Sequence, residues 1–96
     1  MTQAMASPVA VIHNPSADHL QQLGVADWPI WSCGVNTFPW TYDEPETCLL
    51  LEGEVTVTPD GGEPVRFGAG DLVTFAAGLS CSWDVHAAVR KHYRFG

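Results

Sequence analysis

From Trp28 to the C-terminus, apolar and polar residues alternate in short runs. Gly, Pro and Asp interrupt these runs roughly every eight to ten residues, which is the spacing of strands joined by tight turns. The pattern predicts strands at Ile30–Val35, Phe38–Tyr42, Glu46–Glu52, Glu54–Thr58, Val65–Phe67, Leu72–Phe75, Ser80–Val85 and Ala88–Phe95. Pro59-Asp60-Gly61-Gly62 is a hairpin turn signal, because Asp-Gly adopts the positive φ that such a turn needs. Gly68-Ala69-Gly70-Asp71 is a second turn. Short strands at even spacing indicate an all-β sandwich or barrel.

Before Trp28 the pattern differs. Residues 1–8 read as a loosely held lead. Val9–Ile12 is a short strand that completes a sheet within the chain or across a dimer. Asn14-Pro15-Ser16 supplies a cap, Ala17–Leu23 two helical turns with Leu20 and Leu23 on one face, and Gly24 a stop. The chain thus divides into an N-terminal segment, 1–27, and a β-barrel, 28–96. Neither a linker nor a repeat separates them, and the length is that of one domain.

Charge narrows the partners. Eleven acidic residues against four basic ones give a net charge of −7. Nucleic acid and anionic membrane surfaces are therefore excluded as expected partners, since both are bound through basic patches. Arg90, Lys91 and Arg94 place most of the positive charge on the last strand. The apolar runs are too short to cross a bilayer as helices, and the first seven residues lack a signal-peptide pattern. A cytoplasmic location is expected. In that reducing compartment Cys33, Cys48 and Cys81, which have no CxxC spacing, are expected as free thiols. A short chain with exposed edge strands also suggests a homodimer.

Two spacings carry the chemistry. Gly34 is followed after five residues by Trp40, then by Tyr42, Glu46 and Gly53 with one, three and six residues between. Gly70 is followed after five residues by Ala76, then by Gly78, Cys81 and Val85 with one, two and three between. These spacings resemble the two motifs of the cupin superfamily. In that family histidines stand where this chain has Trp40, Tyr42 and Cys81; the glutamate and the framework glycines are kept. The segments Trp28–Trp31, Phe38–Tyr42, Leu51–Val55, Gly70–Val73, Cys81–Val85 and Val89–Tyr93 are similar to small cupins of the ureidoglycine aminohydrolase type. The resemblance implies a single jelly-roll barrel, or double-stranded β-helix, with a short N-terminal helix and a pocket at the barrel mouth.

Strand parity turns Trp40 and Tyr42 inward together, and sets Glu46 with Cys48, and Cys81 with Trp83 and Val85, each on one face of its own strand, so that one pocket exists in outline. Trp has no free lone pair and Tyr would have to lose a proton of pKa near 10, so neither replaces a histidine ligand well. Only Glu46 and Cys81 remain as ligands, and no metal or other cofactor is expected. A carboxylate on an aromatic wall must be paired or be pushed upward in pKa. Glu46 is therefore either a candidate proton donor or acceptor, or a group held by the Tyr42 hydroxyl, an indole N–H or Lys91. Cys81 is either a nucleophile helped by a cation or an inert thiol. His13, His19, His86 and His92 fall outside both motifs. Glu46 and Cys81 are thus the catalytic candidates, and Trp40, Tyr42, Cys48, Trp83, Lys91 and Tyr93 the pocket candidates. The function expected is a metal-independent pocket for a small molecule. The alternatives are a metal-dependent hydrolase related to ureidoglycine aminohydrolase and a structural or regulatory barrel with no open pocket. Whether any reaction is catalysed stays open.

Overall fold

The computed structural model describes residues 8–96, so the lead expected over residues 1–8 falls almost wholly outside the described residues. Strand β1 (Val9–Ile12) is followed by helix α1 (Ala17–Leu23). The Ser16 side chain accepts the His19 N–H at 3.1 Å, and Gly24, at φ 73°, sends its N–H back to the Leu20 and Gln21 carbonyls. A single 3₁₀ turn, Val25–Asp27, then leads into the barrel.

The remaining strands are β2 (Ile30–Cys33), β3 (Asn36–Thr41), β4 (Glu46–Pro59), β5 (Val65–Gly68), β6 (Leu72–Phe75) and β7 (Ser80–Phe95). All pairings are antiparallel, in the order β1-β6-β4-β7-β2, with β3 also on β7 and β5 also on β4. The long strands β4 and β7 form the spine. The first half of β7 carries β3 and the second half carries β2. Likewise β6 lies on the first half of β4 and β5 on the second. Strand β1 completes the sheet within the chain, with Val9 opposite Phe75.

Two breaks expected from the sequence do not occur. Strand β4 runs through Gly53, and β7 runs through His86-Ala87. At Gly53 the register against β7 shifts repeatedly between Leu50 and Val55. Before this irregularity Glu46, Cys48 and Leu50 are buried; after it Val55 and Val57 are buried. The buried parity changes from even to odd because extra residues are absorbed by bulges. The bulges bend β4 so that both halves face one interior. Gly53 has φ 112°, and a Cβ there would lie 2.7 Å from the Ala88 carbonyl oxygen and 2.8 Å from Val89 Cα. Gly53→Ala is therefore expected to lower unfolding free energy by about 2 kcal/mol or more, measured by chemical denaturation. An unchanged midpoint would show that the bend does not depend on this glycine.

The interior is aromatic. Tyr42 stacks on Phe75 with centroids 4.7 Å apart, and Trp83 contacts Phe38, Phe67, Phe75 and Trp31. Val55, Val57, Val73, Val85 and Leu50 close the core around them. No helix among the described residues is long and apolar enough to cross a membrane.

Candidate functional site

Strands β2, β3, β4 and β7 leave a cavity of about 170 Å³ between them. Its walls are aromatic: Trp31 from β2, Phe38 and Trp40 from β3, Tyr42 just beyond, and Trp83, Tyr93 and Phe95 from β7. Its two charged residues are Glu46, at the start of β4, and Lys91 on β7. Trp40 is 48% exposed and lies at the rim, edge-on to Tyr42. Glu46 and Lys91 are each only 5% exposed.

Register explains how these two charges meet. Glu46 is opposite Phe95 and Leu50 is opposite Lys91, so the pair lies diagonally across the β4–β7 spine. Lys91 Nζ donates to Glu46 Oε2 at 2.7 Å. The same ammonium sits 4.7 Å from the Trp83 ring centroid and 5.0 Å from that of Trp31, which faces it across the β2–β7 pair. Two indole faces and a carboxylate thus hold one cation. Each charge offsets the cost of burying the other. Of the partners considered for Glu46 from sequence, the structure selects Lys91.

Tyr42 is a second polar group in this apolar setting. Its hydroxyl oxygen accepts the Trp83 indole N–H at 3.1 Å. Burial, reinforced by the neighbouring Glu46 carboxylate, pushes its pKa far above the usual phenol range. Tyr42 is therefore a neutral hydrogen-bonding group across the accessible pH range.

The two cysteines proposed from sequence stand elsewhere. Cys48 and Cys81 are buried in the core cluster and are not part of the cavity wall. Burial pushes the Cys48 thiol up to about 12, against the opposing effect of Lys91. Cys81 donates to the Trp40 carbonyl at 3.6 Å. Its pKa is raised by burial and then by Asp60, an anion, where a nucleophile would need a cation. On the β3–β7 pair Cys81 is opposite Trp40, near the start of β7.

An alkaline limit follows. Cys48, Cys81 and Tyr42 keep their protons in the fold at pH values where the unfolded chain releases them, beginning near the ordinary thiol value of 9.0. The unfolded state then binds fewer protons, so unfolding free energy falls as pH rises. The denaturation midpoint is expected to be lower at pH 10 than at pH 8. Equal midpoints would show that these groups are not protected.

Three of the four histidines make contacts elsewhere, and the fourth is exposed. His13 meets Asp71 at 2.9 Å, His86 meets Thr56 at 2.9 Å, and His92 meets the Trp28 carbonyl at 2.8 Å, while His19 lies exposed on α1. His92 thus faces away from the cavity, as its alternation with Lys91 and Tyr93 implies. Among the described residues no three His, Cys, Asp or Glu side chains gather to hold an ion. Glu46 is already bonded to Lys91. The residues present therefore do not fit the metal that the cupin motifs imply.

Trp31, Phe38 and Phe95 line the cavity without having been expected there. Phe38 shares parity with Trp40, and Phe95 shares parity with Lys91 and Tyr93, so a parity argument extended along each strand finds both. Trp31 carries no such signal, because its place depends on β2 pairing with the far end of β7.

Residues 20–93 match the family model described as the EutQ-like cupin domain. A crystal structure of a DUF861 family protein from Thermotoga maritima is 45% identical, with a TM-score of 0.88 over 92% of this chain and 99% of that one. The putative ethanolamine utilization protein Q of Salmonella typhimurium is 30% identical, with a TM-score of 0.63 over 69% of this chain and 53% of that one. The EutQ protein of Clostridium difficile, at 23% identity and TM-score 0.63, shares the fold. No curated protein matches. The sheet order, the bulged β4 and these matches agree: the chain is a jelly-roll cupin and belongs to the EutQ-like cupin family.

Proposed function

We propose that this protein binds a small organic molecule without a metal, in the cavity between β2, β3, β4 and β7. The observation that carries the reading is the open aromatic cavity with an intact ion pair at one wall. A purely structural barrel would fill this space with side chains. Here Trp40 stays half exposed at the rim beside free volume. Mostly apolar walls with a few fixed polar groups are the usual make-up of ligand sites. Glu46 and Lys91 orient the ligand, and Tyr42 adds a neutral hydroxyl.

The test is a thermal-shift screen in the presence of EDTA. A ligand at a hundred times its Kd raises unfolding free energy by about 2.7 kcal/mol, which is roughly 10–20 °C for a domain of this size. Trp40→Ala, at the exposed rim, is expected to leave the unliganded Tm nearly unchanged and to reduce the ligand-induced shift. A screen without stabilising compounds would favour a structural role. Resemblance to ureidoglycine aminohydrolase supports the competing reading, a metal-dependent hydrolase. Stoichiometric Zn, Mn, Fe or Ni in protein purified without added metal would favour it.

A further inference from the structure

We infer that the ligand taken by this cavity is a neutral, single-ring molecule bearing a planar amide-type group, read jointly by Glu46 and Lys91. The inference rests on the pocket reading above and adds the chemical class of its occupant.

Size gives the first limit. An apolar cavity of ~150 Å³ accepts a benzene-sized guest. At about 170 Å³, with aromatic walls on several sides, this cavity suits one ring with a small substituent.

Charge gives the second limit. The two ionised groups of the cavity lie 2.7 Å apart and cancel. An entering carboxylate gains Lys91 but meets Glu46. An entering ammonium gains Glu46 but meets Lys91, and the Trp31 and Trp83 faces that would receive it already hold Lys91 Nζ. Either ion gives up its hydration and finds no unpaired counter-charge, which is costly. A neutral polar group loses far less.

Hydrogen-bonding capacity gives the third. An ammonium has three donors, and a carboxylate accepts at both oxygens. Among the described residues Lys91 spends one donor on Glu46, and Glu46 accepts only at Oε2. An acceptor at Glu46 Oε1 and donors at Lys91 Nζ therefore stand side by side. A carboxamide presents the complement, with its carbonyl oxygen toward Lys91 and its N–H toward Glu46. Charge-assisted bonds of this kind contribute more than neutral ones, so the pair favours the amide over a bare ring.

Calorimetric titration of the protein with benzamide, benzoate and benzylamine at pH 7.5 tests this, because the three probes share a ring and differ in charge. Benzamide is expected to bind at least about tenfold more tightly than either ion. Binding of benzoate or benzylamine as tight as that of benzamide would overturn the assignment while leaving the pocket reading intact. Binding of none of the three would overturn both. A second comparison uses Glu46→Gln/Lys91→Met, which removes both charges at similar volume. Its preference for benzamide over toluene should fall about tenfold, with toluene binding retained; an unchanged preference would contradict the role of the pair. If that variant does not fold, the three-probe series on the native protein decides alone.

Discussion

Lys91→Met is expected to destabilise the protein by about 3–5 kcal/mol. Lys91 and Glu46 are both buried and bonded at 2.7 Å, so removing the ammonium leaves a carboxylate among aromatic rings with no counter-charge. For a domain of this length the loss corresponds to a fall in Tm of more than ~12 °C. The double variant Glu46→Gln/Lys91→Met should lie within about 1–2 kcal/mol of the parent, because neither charge then remains to be buried. Urea denaturation of the four proteins of this cycle measures the coupling directly. A Lys91→Met protein within 1 kcal/mol of the parent would mean that Glu46 is solvated and the pair is incidental.

Trp83→Ala is the second large effect, about 3–5 kcal/mol. Trp83 is among the largest fully buried side chains, and its ring touches Trp31, Phe38, Phe67 and Phe75. Its loss opens a void where β2, β3, β5, β6 and β7 meet. It also removes the N–H donated to the Tyr42 hydroxyl and one of the two indole faces over Lys91. Trp83→Phe separates these contributions. It restores most of the volume, so only the hydrogen bond and part of the cation–π contact are lost, and the expected cost falls to about 1–2 kcal/mol. Equal losses for Ala and Phe, read from denaturation midpoints, would contradict a packing role.

Much of the fold was legible because local signals agreed with the tertiary outcome. Ser16 and Gly24 bracket α1 at the residues that capping chemistry favours. At Pro59–Gly62 the Gly62 N–H bonds back to the Pro59 carbonyl at 2.9 Å, with Gly61 at φ 72°. Leu72–Phe75 falls where its apolar run lies. The reading was less accurate where a long-range register decides the result. Gly53 reads as a break, yet it permits a bulge against Ala88 and Val89, residues far along the chain. The site divides in the same way. Glu46 and its partner Lys91, with Trp40, Tyr42, Trp83 and Tyr93, follow from motif spacing and parity, and all line the cavity. Cys48 and Cys81 share the inward parity but are packed in the core cluster and not on the cavity wall, since parity gives the face of a strand and not whether a side chain reaches free volume. Trp31 reaches the site only through the β2–β7 pairing.

The four tryptophans provide the most direct test of the central claim, a metal-free pocket for a small neutral molecule. Three of them, Trp31, Trp40 and Trp83, line the cavity. The fourth, Trp28, lies outside it with its ring against Arg94, and serves as an internal control. Indole N–H resonances followed by proton–nitrogen NMR during titration with benzamide in EDTA would read all four together. Saturable shifts are expected for Trp31, Trp40 and Trp83, with Trp28 unmoved. Shifts confined to Trp28, or none at saturating benzamide, would contradict that claim.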